Sequence, residues 1–236
     1  MGVLGASRLF GRLDREVLRQ LRDDFHGEHI ESGQVIPRER LSAEFFIVEG
    51  GRVERVYSDR ESGRELTLET LRSGGGFSLL SVLDGEPSQN MTVAAETSSL
   101  LAVPVSVLRR WLPMYPDLSA AFFRELSEQL RRLESLAGEL ACSNTLTRLA
   151  RLLVHHAVDH SSSLLESHEH LPLEIDLTQE ELARMIGSVR VVVNRHLQTL
   201  SRLDAVELER GKIRIRDFER LSELCELPLR EHLRAG

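Results

Sequence analysis

Arg190 and Arg195 stand near the start of one helical segment, with Asn194 beside them. A guanidinium is a rigid fork of donors that fits guanine O6 and N7 in the major groove. Such a fork reads a base only if something holds it rigidly, and the surrounding chain has the elements for that. Thr178 and Glu181 have the spacing of a capping box at a helix start. Leu182, Met185 and Ile186 then recur at helical spacing. Gly187 ends that helix where a left-handed residue is cheap, and Ser188 is expected to cap the next. On the second helix Val189, Val192, Val193, His196, Leu197 and Leu200 share the face around the core, while Arg190, Asn194 and Arg195 project elsewhere. Two short helices joined by a tight glycine turn make a helix-turn-helix. The arginine pair suits reading guanine edges. The plainer alternative is an ordinary helical hairpin with solvated arginines.

Composition bounds this reading. A chain of 236 residues suits one large domain or two of ordinary size, and 41% hydrophobic residues suffice for real cores. The net charge of −7 argues against non-specific coating of nucleic acid. From Asp176 to Arg216, however, eight basic residues stand against six acidic ones, and the local field governs contact with DNA. Lys212 is the single lysine among 30 basic residues. The two cysteines, Cys142 and Cys225, have neither zinc nor iron–sulfur spacing and fit a reducing cytoplasm as free thiols. No apolar run approaches a membrane span, and no signal-peptide pattern opens the chain. No serine-hydrolase elbow, P-loop, HExxH or dinucleotide fingerprint supports an enzyme.

Leu9 to Phe25 reads as a short helix, and His29 to about Pro104 as short strands with Gly, Ser and Asp turns, a β-sandwich or jelly roll. Pro113 and Pro116 end that region, and Asp117 is expected to cap a long helix. Phe122, Leu126, Gln129, Leu133, Leu136 and Leu140 follow one another at 4,3,4,3,4 spacing, a dimer seam of three heptads with Gln129 fixing the register. Ala141 to Asn144 reads as a hinge and Thr145 to Val158 as a helix. Asp159 to His170 reads as a polar loop, Leu171 to Leu177 as a strand and Phe218 to Leu224 as a last helix. Val206 to Ile215 has the pattern of a two-stranded wing that turns at Arg210-Gly211. The fold class is α+β: a β-roll over 1–116, a dimerisation helix and hinge over 117–142, and a winged helix-turn-helix over 143–236.

This order resembles the cyclic-AMP receptor/FNR (CRP/FNR) family of bacterial transcription regulators across nearly the whole chain. Phe46 to Val53, Ser81 to Pro87, Thr92 to Ala95 and Asp176 to Lys212 carry the resemblance. It implies a homodimer, a palindromic site on double-stranded DNA and RNA polymerase as a partner. By the same resemblance Arg190 and Arg195 read guanines from the recognition helix, where Ser188, Val191 and Asn194 also lie. Thr178 and Gln179 match phosphate-contacting positions, and Arg210 and Lys212 match the wing. Many members carry Glu where this chain has Val191, which offers only apolar contact, for instance to a thymine methyl. A half-site other than TGTGA is therefore expected; the nitrogen-regulator branch shares the Arg-Val pair.

The implied effector pocket comprises Phe77, Ser78, Leu79, Leu80, Gln89, Asn90, Leu133 and Glu134. Cyclic-nucleotide binders have Gly-Glu-Leu where Ser78-Leu79-Leu80 stands, and Arg-Ser where Gln89-Asn90 stands. Leu79 accepts no hydrogen bond from a ribose, and Gln89 neutralises no phosphate, which argues against cyclic AMP. Remaining alternatives are 2-oxoglutarate (although Gln89 lacks the charge that branch keeps), heme on a histidine such as His26 or His29, or no small-molecule effector. No metal site is expected. His155, His156, His160, His168 and His170 read as packed or solvated histidines. Cys142 reads as a plain buried cysteine, with a hinge redox switch as the alternative.

Overall fold

The structure, a computed structural model, describes residues 2–86, 88–164, 174–209 and 212–225, and the side chains of these except 159–164. The chain divides into two compact units, one of residues 1–58 and 67–136, the other of 59–66 and 137–236.

The first unit opens with helices α1 (Gly2–Ala6) and α2 (Arg15–Arg22), then strand β1 (His26–Ile30), helix α3 (Arg38–Ala43) and strands β2 (Glu44–Gly50) and β3 (Val53–Ser58). Strands β4 (Glu65–Leu71) and β5 (Gly76–Phe77), helix α4 (Leu79–Asp84) and strands β6 (Met91–Ala94) and β7 (Ser98–Pro104) follow. Helices α5 (Val105–Met114) and α6 (Pro116–Cys142) close the run. The strands form two sheets, ordered β1-β7-β2-β5 and β4-β3-β6, as the turn spacing predicts for a roll. Phe45 and Ile47 on one face of β2 pack with Phe10, Phe25, Trp111, Leu118 and Phe122. Phe46 and Val48 on the other face join Val53, Leu71, Phe77 and Leu100. That alternation is the period-two signature of a strand buried on both faces. Gly51, at φ +85°, turns β2 into β3 where a Cβ would meet Thr97 and Ser98.

Several boundaries differ from the expected ones. Only Arg15–Arg22 of the Leu9-to-Phe25 stretch is α-helical; residues 8–12 form turns around Phe10, which is fully buried. The first strand begins at His26, ahead of His29. Pro113 does not end the roll but sits inside α5, an amphipathic helix whose Val105, Leu108 and Trp111 are buried. Asp117 does not cap α6, which starts at Pro116 and holds Asp117 in its first turn. Proline suits that start because its missing N–H has no helical partner there.

The second unit contains α7 (Thr145–Leu164), β8 (Glu174–Ile175), α8 (Gln179–Met185), α9 (Arg190–Arg202), β9 (Val206–Glu209), β10 (Lys212–Ile215) and α10 (Phe218–Glu223). The break after α6 narrows to Ser143-Asn144, where the Asn144 carboxamide caps α7 by accepting from Thr147 N–H at 2.9 Å. Helix α7 runs past Val158 to Leu164, so the expected loop at 159 starts within it. His168 and His170 lie outside the described residues, as does the Arg210-Gly211 turn. The core gathers Leu149, Leu153, Leu182, Val193, Leu197, Leu200, Ile213 and Leu221 from the helices and the β8-β10-β9 sheet.

Candidate nucleic-acid interface

Local chemistry fixes the angle between α8 and α9. Thr178 Oγ1 accepts from Glu181 N–H at 3.2 Å, and Glu181 Oε2 accepts from Thr178 N–H at 2.7 Å, which completes the capping box. At the other end Gly187 takes φ +61°. Its N–H donates to Arg184 O, and Ser188 N–H donates to Ala183 O at 2.8 Å, the paired bonds of a Schellman stop. Ser188 thus closes α8 through its backbone, and α9 begins one residue later than expected: Val189 holds the cap position and makes no side-chain cap bond.

Helix α9 buries Val193, Leu197 and Leu200 and exposes Arg190, Val191, Asn194 and Arg195. The core face is narrower than expected: Val189 is exposed, and Val192 and His196 are half-buried. Val191 is 79% exposed, which is unusual for a β-branched residue and shows that packing does not require it. Neither Arg190 nor Arg195 makes an ion pair or side-chain hydrogen bond among the described residues. Asn194 Nδ2 donates to Gln179 Oε1 at 3.2 Å, so the start of α8 and the exposed face of α9 form one surface. Gln198 and Arg202 extend this face; their i+4 spacing from Asn194 was the signal for them. The His196 ring lies 2.7 Å from Thr145 Oγ1, and burial, then Arg195, push its pKa down.

The two wing strands pair antiparallel, with Lys212 opposite Glu209 and Ile215 opposite Val206. Lys212 Nζ is engaged with Glu174 Oε1 at 2.5 Å, and this bond holds the Glu174 carboxyl below its usual range. Arg210 lies outside the described residues.

The residues aligned with the effector pocket divide between interior and surface. Phe77 stacks on Phe46 at 4.8 Å between ring centroids, and Leu79 is core. Leu80, Gln89, Leu133 and Glu134 are exposed, and Asn90 is half-buried. Ser78 sits at φ +71°, a left-handed conformation costly for any residue but glycine, and its buried Oγ has no hydrogen-bond partner among the described residues. The long-helix row also differs from the expected seam. Phe122 is fully buried in the roll's own core and Leu126 packs against it, while Phe123, Leu130 and Leu133 are exposed. Cys142 is exposed and Cys225 buried, which reverses the expectation for Cys142.

Residues 28–114 match the family described as the cyclic nucleotide-binding domain, and residues 147–224 match the Crp-like helix-turn-helix domain. The global nitrogen regulator of Synechocystis is 27% identical over 218 residues, which is 91% of this chain and 93% of that protein. A CRP-like cAMP-activated global transcriptional regulator of Mycobacterium tuberculosis is 27% identical over 203 residues, with 84% and 85% covered. The c-di-GMP-responsive regulator CLP of Xanthomonas campestris shares the fold, with a TM-score of 0.73 at 18% identity over 86% of this chain and all of that one. With a nucleotide-binding-like roll, a long helix and a Crp-like helix-turn-helix in that order, this chain belongs to the CRP/FNR family of DNA-binding transcription regulators, not to an enzyme family.

Proposed function

We propose that the protein is a homodimer that reads a palindromic promoter site through α9 in the major groove. The observation that carries this is the uncommitted stripe of Arg190, Val191, Asn194 and Arg195, exposed on a helix whose opposite face is locked into the core. Arginines held rigidly but left without partners are set for bidentate bonds to guanine. The dimer reading rests on α6. Phe123, Leu126, Leu130, Leu133, Ala137 and Leu140 form an unbroken 3,4,3,4,3 row. Phe123, Leu130 and Leu133 are 61%, 59% and 43% exposed in the single chain. Exposed apolar side chains at heptad spacing suit a second copy of the same helix. Under this reading, residues 1–116 act as the sensor roll and RNA polymerase is the downstream partner.

Selection of full-length protein against random duplexes tests the reading. The expected product is a two-fold site with half-site centres about one helical turn, ~34 Å, apart. Arg190→Ala should weaken binding to that site by ~1–3 kcal/mol without altering the protein's mass in solution. A lone, unpaired half-site would refute the dimer, and TGTGA as the optimum would refute the role given to Val191.

A further inference from the structure

Six charged side chains meet where the β4-β3-β6 sheet faces α6. Glu69 of β4 bridges two arginines: its Oε2 is 3.0 Å from Arg55 Nη1 on β3, and its Oε1 is 3.0 Å from Arg132 Nη2 on α6. The same Arg132 nitrogen is 3.0 Å from Glu125 Oε1, and its other nitrogen is 3.8 Å from Glu128 Oε2. Arg8 approaches Glu125 and Glu128, each at 3.7 Å. Three cations and three carboxylates balance. The centre is not a surface decoration, for the side chains of Glu69 and Glu125 are only 11% and 7% exposed.

The residues around this network explain its place. Glu125, Gln129 and Arg132 lie at i, i+4 and i+7, on one face of α6. Thr67 and Glu69 lie two apart on β4 and so point to the same side. The Arg132–Glu69 bond puts these two faces opposite each other. A small anion entering there would have to take Arg132 from two buried carboxylates, or sit beside them unpaired. Either costs free energy that no other cation of the network offsets, since Arg55 is already engaged with Glu69, and Arg8 with Glu125 and Glu128.

We infer that this network takes the place of a small-molecule anion: Arg132, gripped by Glu69 and Glu125, ties the sheet to α6, and the regulator binds its DNA site with no added effector. The inference rests on the DNA-reading function proposed above and assigns its regulation. Helix α6 is one continuous helix from Pro116 to Cys142, so tension on Arg132 bears on the same helix that leads into the second unit. Control would then come from the amount of protein or from a partner that breaks the network.

The test uses full-length protein and the duplex it selects. Binding is followed by fluorescence anisotropy at fixed salt for wild type, Arg132→Met and Glu69→Gln, with and without millimolar cyclic AMP, cyclic GMP or 2-oxoglutarate. Wild type should bind with no addition, and each probe should move its Kd less than twofold. Both variants should bind roughly tenfold more weakly, an ordinary size for coupling between sites. Glu69→Gln keeps the side-chain shape, and cooperative melting with unchanged dimer mass shows that the variants are folded. Hydrogen exchange should rise at residues 67–71 in both. If wild type selects no DNA sequence either alone or with any probe, the DNA-reading function falls and the inference with it; if it selects one only with a probe, the inference alone is overturned. If wild type selects a site but the variants bind it equally well, or a probe tightens wild-type binding tenfold, the inference alone is overturned.

Discussion

Replacing Val191 by glutamate separates folding from base reading. Val191 occupies the second position of α9 and is 79% exposed, so its removal opens no cavity. No acidic residue stands in the first turn of α9, and a carboxylate there gains about 0.3–1 kcal/mol from the helix dipole. Glutamate also has the better helix propensity, by a few tenths of a kcal/mol. The variant should therefore unfold no more easily than wild type. On DNA the change reverses a preference. Valine can touch a thymine methyl, whereas glutamate accepts from cytosine N4, and a good base contact discriminates by about 1–3 kcal/mol. At 1.4 kcal/mol per tenfold, the optimal base at one position per half-site should change with a shift of roughly five- to 150-fold. Parallel selections with the two proteins, then titrations of both consensus duplexes at one ionic strength, would measure it. If both proteins select the same base at every position, Val191 does not face the DNA bases. If Val191→Glu loses more than about 1 kcal/mol of stability, a value outside the ±0.5 kcal/mol usual for surface changes, then its side chain packs somewhere.

Three further outcomes follow from the geometry. Ser78→Gly removes a left-handed serine whose hydroxyl has no partner among the described residues, and should raise the first unit's stability by about 1 kcal/mol in urea titrations; a loss would show that Ser78 is held by contacts worth more than the strain. Burial pushes the Cys225 thiol up to about 11, while Cys142 is exposed, so a thiol reagent at neutral pH should find one fast cysteine per chain and two after unfolding; two fast thiols in the folded protein would refute this. Burial, then Arg195, push the His196 pKa down, so the unfolded chain takes up a proton that the folded one refuses as pH falls through about 6.5. The second unit should therefore lose stability on acidification below that value, and His196→Gln should flatten the slope; identical slopes would remove His196 as the cause.

The DNA-reading half was largely legible because its signals are local. A capping box, a glycine stop and a helical apolar period each span only a few residues, and each agrees with the others. The difference there was also local: Ser188 has a capping residue's chemistry, but it lies in the turn that closes α8, one residue before the Val189 cap position of α9. The roll's strands were visible through Phe45 to Val48 and their turns. Helix α5 was not, because Pro113 reads as a terminator although a proline can lie in the last turn of a helix whose Trp111 anchors the core. The network of Arg55, Glu69, Glu125 and Arg132 joins residues far apart in sequence, and no local pattern announces that four charges converge.

Helix α6 shows why periodicity alone could not assign its faces. Its sequence holds two overlapping rows. One runs through Leu118, Phe122, Glu125, Gln129 and Arg132, and the other through Phe123, Leu126, Leu130, Leu133, Ala137 and Leu140. Adjacent residues differ by about 100° around a helix, so the rows face different neighbours even though Phe122 and Phe123 touch in sequence. A seam drawn from Phe122 must accept Gln129, whereas one drawn from Phe123 meets no polar residue. The charges break the tie. Glu125 and Arg132 are held against β4, which turns their row towards the roll and takes Phe122 and Gln129 with them. What remains is a row whose Phe123, Leu130 and Leu133 are exposed in the single chain, while Leu126 also touches the roll's core, at the spacing a second copy of the helix would match. The polar residue read as fixing the dimer's register thus belongs to the row that fastens the helix to its own roll.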